Sequence, residues 1–414
     1  MLPLLGLFAV TACGPEVGVA APSTSAATTA PATTAPATTS PVTTPATSAP
    51  TTGDPTSAAP SPSASASPRS FTVVGSGDIL LHGLLWAQGA ADAHALGQGG
   101  YDFVPLFASV IPVVSTADLA ICHMETPFGP ANGPFTDYPL FTVPPQVATT
   151  IAAVGYDTCS TASNHSIDAG EAGVERTLDA LDAAGVKHAG TARSPAEAAS
   201  IDMLDVKGIT VAQLSYSFGF NGLIRPAGKE WLANLLDPDR ILADAHRAKL
   251  AGAQVVIVSL HWGTEYSHFP NPQQITVAQR LLASPDIDLI LGHHVHVVQP
   301  LQRIGDKWVA YGMGNELAYQ NQADDTRDGI IPRFTFTEIR PGQFRVTKAE
   351  VIPIHMWLDS RPTRLLNVPA TLADPNASAA VRASCRASRL RTVSVLNTMG
   401  AFDAGLTVVG GTTG

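Results

Sequence analysis

Residues 288–299 read DLILGHHVHVVQ. The run Leu289-Ile290-Leu291, with Ile287 before it, has the continuous apolar character of a strand buried on both faces of a parallel sheet. It stops at Gly292, and His293, His294 and His296 follow within four residues. An apolar strand ending in imidazoles is how an open α/β sheet presents metal ligands along its carboxyl edge. Upstream, residues 254–266 repeat the pattern as QVVIVSLHWGTEY, where a Val/Ile run delivers His261 and then Glu265. One strand-end histidine is more often structural. Two consecutive ones point to a metal site.

Working outward, the same design recurs. Residues 71–79 (FTVVGSGDI) form a first strand ending in Gly77-Asp78, with His82 four residues on. Residues 117–125 (ADLAICHME) form a second strand delivering His123 and Glu125, and residues 156–162 a third, ending in Ser163-Asn164-His165. Asp168 reads as the cap of an amphipathic helix with Val174, Leu178 and Leu181 on one face, closed by Gly185. Alternating strands and helices with ligands at successive strand ends predict an α/β domain with a largely parallel, helix-covered sheet. The Pro/Gly/aromatic stretch 134–145 suits a substrate-side lid. Residues 333–339 and 343–354 alternate with period two, a hairpin about Pro341-Gly342. Beyond Trp357 strand character disappears, leaving one helix at 378–399.

The domain expectation is therefore 70–356, followed by a C-terminal extension at 357–414. Residues 14–69 are almost wholly Ala, Thr, Pro and Ser, with Glu16 and Asp54 the only charges before Arg69. Such a segment buries too little apolar area to offset its ordering entropy, and reads as a disordered tether. Residues 1–13 end in Val10-Thr11-Ala12-Cys13, a lipobox in which Cys13 would be acylated, although the basic n-region of a signal peptide is missing. Anchor, tether and domain together suit an extracytoplasmic, membrane-anchored protein. A formal net charge of −10 without any Lys/Arg-rich run argues against nucleic acid as a partner. No apolar stretch reaches the roughly 18–20 residues of a spanning helix. Apart from Cys13 there are Cys122, Cys159 and Cys385. A Cys122–Cys159 disulfide and two buried thiols both fit the sequence.

Carboxylate, amide and imidazole donors without thiolate suit Mn, Fe or Zn. A central carboxylate such as Glu125 suits bridging two cations about 3.5–4 Å apart, which would hold a nucleophilic hydroxide between them. Six ordered motifs carry a resemblance over residues 71–354. They are Gly77-Asp78, Met124-Glu125, Ser163-Asn164-His165 through Gly170, His261-Trp262-Gly263-Thr264-Glu265-Tyr266, Gly292-His293-His294-Val295-His296, and Tyr311-Gly312-Met313-Gly314-Asn315. The chain resembles the CapA family of capsule and poly-γ-glutamate biosynthesis, within the calcineurin-like metallophosphoesterase superfamily.

That resemblance implies a metallophosphatase-like layered α/β sandwich, mostly parallel, with two divalent cations held at the carboxyl ends of its strands. Asp78 and His296 would hold one, Asn164, His261 and His294 the other, with Glu125 bridging and His165 as general acid. It also implies a metal-dependent hydrolase or transferase acting on a phosphoester or an anionic γ-glutamyl polymer, alongside the capsule synthesis machinery. The alternative is a non-catalytic assembly or export partner that keeps the fold. One departure stands out: the superfamily's Asp-x-His pattern has leucine here, at position 80. His82 is a candidate replacement, and His123 and His293 are candidate ligands or supports behind the ligands. Glu265 and Tyr266 are candidates for orienting substrate or for bonding His261, while Arg225, Lys229 and Arg280 are candidates for gripping an anion. His94, His188, His246, His268 and His355 read as surface or packing residues, and Trp262 suits packing or stacking equally.

Overall fold

A computed structural model describes residues 67–412. The proposed lipobox and all of the tether except 67–69 lie outside them. The chain begins one sheet with four parallel strands, β1 (Ser70–Leu80), β2 (Leu119–Met124), β3 (Thr158–Ser160) and β4 (Lys187–Ala189). It then builds a second sheet from β5 (Asp202–Val206), β6 (Ile209–Ser217), β7 (Val255–His261), β8 (Leu289–His293), β9 (Leu301–Ile304) and β10 (Lys307–Ala310), in the order β5-β6-β7-β8-β10-β9. Five strands return to the first sheet: β11 (Asn315–Ala318), β12 (Asp328–Arg340), β13 (Gln343–Trp357), β14 (Arg364–Asn367) and β15 (Leu406–Val408). Strands β6, β7, β8 and β10 are mutually parallel, as are β1 to β4.

Alternation within these strands builds the layers. In β7, Val255 and Ile257 enter a core shared with Phe71 and Val73 of β1 and Leu119 and Ile121 of β2, so the two sheets face each other. Val256, Val258 and Leu260 point the other way, onto helices Pro238–Leu250 and Pro272–Leu282. Val74, Ala120 and Cys122 likewise face helices Gln146–Val154 and Gly170–Ala183 on the outside of the first sheet. The result is four layers, helix–sheet–sheet–helix. Each fully buried Leu or Ile contributes roughly 1.5–3 kcal/mol, which fixes the strand register, because a one-residue slip would turn every such side chain to the wrong layer.

Several expectations change in detail. Between β1 and β2 the chain forms two short helices, Val104–Phe107 and Ile111–Val114. Strand character does persist beyond Trp357: β14 pairs with β13 antiparallel and β15 pairs with it in parallel. The helix expected at 378–399 spans Ala379–Leu396, with the Ser378 side chain accepting from the amide of Val381. Cys122 and Cys159, register partners on β2 and β3, form a disulfide, and Cys385 is a buried free thiol. No described helix is long and apolar enough to cross a membrane.

Candidate metal centre

The inter-sheet core ends in histidines. Inward side chains run Leu119, Ile121, His123 in β2, Val255, Ile257, Ser259, His261 in β7, and Leu289, Leu291, His293 in β8. Period two thus carries three buried imidazoles to the carboxyl end of the core. His123 stacks on His293 with ring centroids 4.0 Å apart. Its Nε2 lies 2.9 Å from His261 Nδ1 and its Nδ1 lies 2.7 Å from Ser160 Oγ. Two proton orders satisfy that chain. In one, the Ser160 hydroxyl donates to the Cys122 carbonyl at 3.2 Å, His123 donates to Ser160, and His261 donates to His123. His261 Nε2 then keeps a free lone pair 2.7 Å from Asn164 Oδ1, and two facing acceptors call for a cation. In the reverse order His261 donates to Asn164. Only the first readies His261 as a ligand, and in it His123 positions His261.

The remaining donors come from loops. Asp78 follows an irregularity in β1, where its amide donates to the Gly314 carbonyl at 2.9 Å. Gly77 permits that approach, since a Cβ there would stand 2.1 Å from the same carbonyl oxygen. Asp78 Oδ2 accepts from the His294 amide at 3.1 Å and lies 3.2 Å from His296 Nδ1. His294 and His296 leave through a turn, not along the strand, with φ of 89° and 56°. Four of the five described non-glycine residues with positive φ are Asn221, Tyr266, His294 and His296, so backbone strain collects at this site. Asn315 Oδ1 lies 3.0 Å from His296 Nδ1, and its amide nitrogen donates to the carbonyl of Thr326 at 2.8 Å. This orients His296 Nε2 towards Glu125 Oε1, 3.8 Å away, while His261 Nε2 lies 4.0 Å from the same oxygen. Glu125 therefore stands between the two imidazoles.

Donor atoms of Asp78, Glu125 and His296 gather within 4.8 Å of one another, as do those of Glu265, His294 and His296, and of Asp78, His123 and His293. Asp78 Oδ1, both Glu125 oxygens, both His293 nitrogens and His294 Nδ1 are buried without a hydrogen-bond partner. Buried polar atoms are almost always satisfied, so such a concentration of unsatisfied ones fits divalent cations. Electrostatics agree. Burial pushes Glu125 well above the usual carboxylate range, with His296 pulling the other way. Burial opposes the charge of His296 too, yet Glu125 and Asp78 outweigh it and lift that imidazole to about 9. Burial, then the charge of His296, pushes His294 down to about 3. The carboxylates thus draw positive charge to their centre, while His294 is kept a neutral donor.

His165 sits at the wall of an adjoining cavity of about 500 Å³. Its Nδ1 is 2.6 Å from Asp168 Oδ2, and its Nε2 faces Asn221 Nδ2 at 3.5 Å. Asp168 is thus no helix cap. The helix begins at Gly170 after Ala169 with no side-chain cap, and Asp168 Oδ2 also accepts from the Phe141 amide at 2.9 Å. The loop expected as a lid supplies Tyr138, Leu140 and Phe141 to the cavity, and Glu265 and Tyr266 line it as well. Glu265 joins His294 and His296 and has no bond to His261. His82 stands apart from the three donor groups. Its Nδ1 lies 3.0 Å from the Leu80 carbonyl and 3.2 Å from the Tyr319 amide, on the cavity wall.

No Lys or Arg lines this cavity. Arg225 donates to the carbonyls of Glu230 and Ala233, Lys229 pairs with Glu171 at 2.5 Å, and Arg280 pairs with Asp239. Trp262 is buried and donates to the Tyr311 carbonyl, a packing role. His188 pairs with Asp182, His246 with Asp286 and His268 with Asp325, all away from the donor groups. Asn221 and Asp168 were missed as site residues. The Asn-Gly pair at 221–222 just after β6 was the available signal for the first, and the three-residue spacing from His165 for the second.

Residues 72–320 match the family model described as bacterial capsule synthesis protein PGA_cap. Among curated proteins, the capsule biosynthesis protein CapA of Bacillus anthracis is 29% identical over 44% of this chain and 45% of its own length. The PGA biosynthesis protein CapA of Bacillus subtilis is 28% identical over 48% of this chain and 52% of its own. The chain therefore spans about half the length of these curated relatives. A solved 5'-nucleotidase precursor from Thermus thermophilus is similar at TM-score 0.42 and 14% identity, covering 68% of this chain and 54% of that one. A calcineurin-like phosphoesterase from Bacillus subtilis is similar at TM-score 0.34 and 13% identity, covering 78% and 97%.

Proposed function

Because the chain belongs to the PGA_cap family of bacterial capsule synthesis proteins, we propose that it is a metal-dependent hydrolase or transferase of capsule or poly-γ-glutamate synthesis. It acts on a phosphoester or a γ-glutamyl amide at the outer face of the membrane, where an acylated Cys13 anchors it. The observation that carries this reading is the convergence of Asp78, Glu125, His261, His294 and His296, rich in unpartnered buried donor atoms, beside a cavity walled by His165. Asp78, Glu125, Asn164, His261, His294 and His296 would hold two divalent cations. Bound there, the cations supply an activated water and neutralise charge growing on the substrate's oxygens. Asp168 accepts from His165 Nδ1, so that His165 carrying a proton on each ring nitrogen would turn Nε2–H to the cavity and give that proton to the leaving group, keeping Nδ1–H on Asp168. Tyr138, Leu140 and Phe141 line the same cavity. Among the described residues, the cavity wall carries no Lys or Arg to pair with an anionic substrate.

The test is elemental analysis of chain purified without chelator, followed by a panel of phosphoester and γ-glutamyl substrates. His294→Ala and His296→Ala lower the bound metal. His165→Ala keeps it and lowers turnover by about 10²–10⁴-fold. Wild-type metal content in both His294 and His296 variants, with the fold retained, removes the two-metal reading. It would leave the non-catalytic assembly role, the reading that leucine at position 80 favours.

A further inference from the structure

The ligand that the chain lacks at position 80 leaves the cation at Asp78 short of an imidazole, and nothing on β1 supplies one. Leu80 is 3% exposed and packs in the apolar cluster beneath the outer helices, with Leu81 and Leu85. His82 lies outside the donor groups, held at Nδ1 by backbone on the cavity wall. On the opposite sheet stands an imidazole with no assigned task. His293 is 2% exposed, and neither of its ring nitrogens has a hydrogen-bond partner. Its Nδ1 lies 3.3 Å from Asp78 Oδ1, itself buried and unpartnered.

We propose that His293 is a metal ligand, sharing with Asp78 the cation that the missing position-80 side chain would otherwise complete. This rests on the two-cation reading of the site. An N–O separation of 3.3 Å is that of two donors flanking one ion, each at roughly 2.0–2.2 Å from it. A buried imidazole left without any partner lowers stability, so a fold that keeps one there gains from a ligand that satisfies it. His123 does not compete for this role. Both its nitrogens are engaged, by Ser160 and His261. Its ring also lies only 21° from parallel to that of His293 at 4.0 Å, so in-plane lone pairs of the two rings cannot converge on a single ion. The supply of the imidazole from β8 depends on register. Leu289, Leu291 and His293 share the inward face, so the apolar pattern that fixes β8 also aims His293 at Asp78 across the sheet-to-sheet gap.

The test uses the full chain and the variants His293→Ala and His293→Leu, the second retaining apolar bulk against His123. Metal equivalents per chain are measured, then affinity by chelator competition, then thermal midpoints with and without added Mn²⁺ or Zn²⁺. Both variants are expected to lose one equivalent. Affinity at that position should fall by more than the about 10–100-fold that an outer partner of a ligand costs. The stripped His293→Leu protein should melt no lower than stripped wild type, because the substitution removes an unsatisfied group, whereas the metal-induced rise in its midpoint should shrink. Wild-type equivalents, affinity and metal-induced rise in both variants would overturn the proposal and leave the two-cation reading standing. A wild-type chain that binds no metal removes both.

Discussion

Asp168 and Glu316 show how a carboxylate's task follows from what surrounds it. Asp168 was expected to cap a helix, but its Oδ2 faces His165 Nδ1 at 2.6 Å and the Phe141 amide at 2.9 Å. It therefore couples the proposed general acid to the loop that covers the cavity. Asp168→Asn keeps an acceptor for His165 Nδ1 and removes the carboxylate charge beside it. Metal content should stay at the wild-type value while turnover falls, within the roughly 10²–10⁴-fold range of general acid catalysis. A variant that turns over substrate at the wild-type rate would remove Asp168 from the mechanism. Glu316 is fully buried beside the hydroxyl of Tyr156, which donates to Oε1, and Oε2 has no partner. Burial lifts its carboxyl from an ordinary 4.5 to about 7. The sign follows from which state binds the proton. Between about pH 4.5 and 7 the folded chain holds a proton that the unfolded chain has released, so stability falls as pH rises through that window and is level above it. The shift corresponds to about 3 kcal/mol. Glu316→Gln should lose less stability than wild type between pH 5 and pH 8 in urea unfolding. Equal losses would mean that this carboxyl is not the group responsible.

Long, periodic elements were legible and short ones were not. The hairpin about Pro341-Gly342 forms as β12 and β13, and the helix read at 378–399 spans Ala379–Leu396, because both patterns run long enough to show their period. Strands β14 and β15, of four and three residues, carry too few side chains to display a period. Their existence depends on the exposed edge and the register of β13, which are tertiary facts. The helix Ala379–Leu396 shows the same limit. Its basic side was visible, but the partner was not. Arg391 reaches the buried Asp328 at 2.7 Å, which also bonds His355 Nδ1 at 2.8 Å, while His355 Nε2 meets Ser384 Oγ at 2.8 Å. This network ties the C-terminal helix to β12 and β13. Arg391→Ala leaves Asp328 with His355 alone and should cost about 1–3 kcal/mol, discounted from a fully buried pair because the arginine is about one-third exposed. Chemical denaturation reads that cost. An unchanged midpoint would mean that apolar packing of Leu396 and its neighbours alone holds the helix.

The candidate site lies between the two sheets, which is why its candidate donors were readable singly and its geometry was not. Asp78 lies near the end of β1, Glu125 and Asn164 follow strands of the same sheet, and His261, His293, His294 and His296 end or follow strands of the other. Strand-end residue types were plain in the sequence. That β1 and β8 approach each other across the core, bringing His293 to Asp78, depends on how two twisted sheets pack, for which no local pattern exists. The same division bears on the N-terminal region. Glu338 sits on β12 and accepts from Arg69 through both carboxylate oxygens, at 2.7 and 2.8 Å, while its amide donates to the Arg69 carbonyl. The folded domain therefore reaches back one residue further than the first strand. Removing residues 1–66 should leave the thermal midpoint within about 2 °C of the full chain, whereas a cut after residue 69 deletes those bonds and should unfold lower. Anchoring is tested separately, because the lipobox reading predicts location and not stability. Full chain expressed in a bacterial host that acylates lipoproteins should partition into detergent, and Cys13→Ala should partition into the aqueous phase at an unchanged midpoint. Equal partitioning of the two would reject the anchor while leaving the metal site, which draws on no residue before Asp78, untouched.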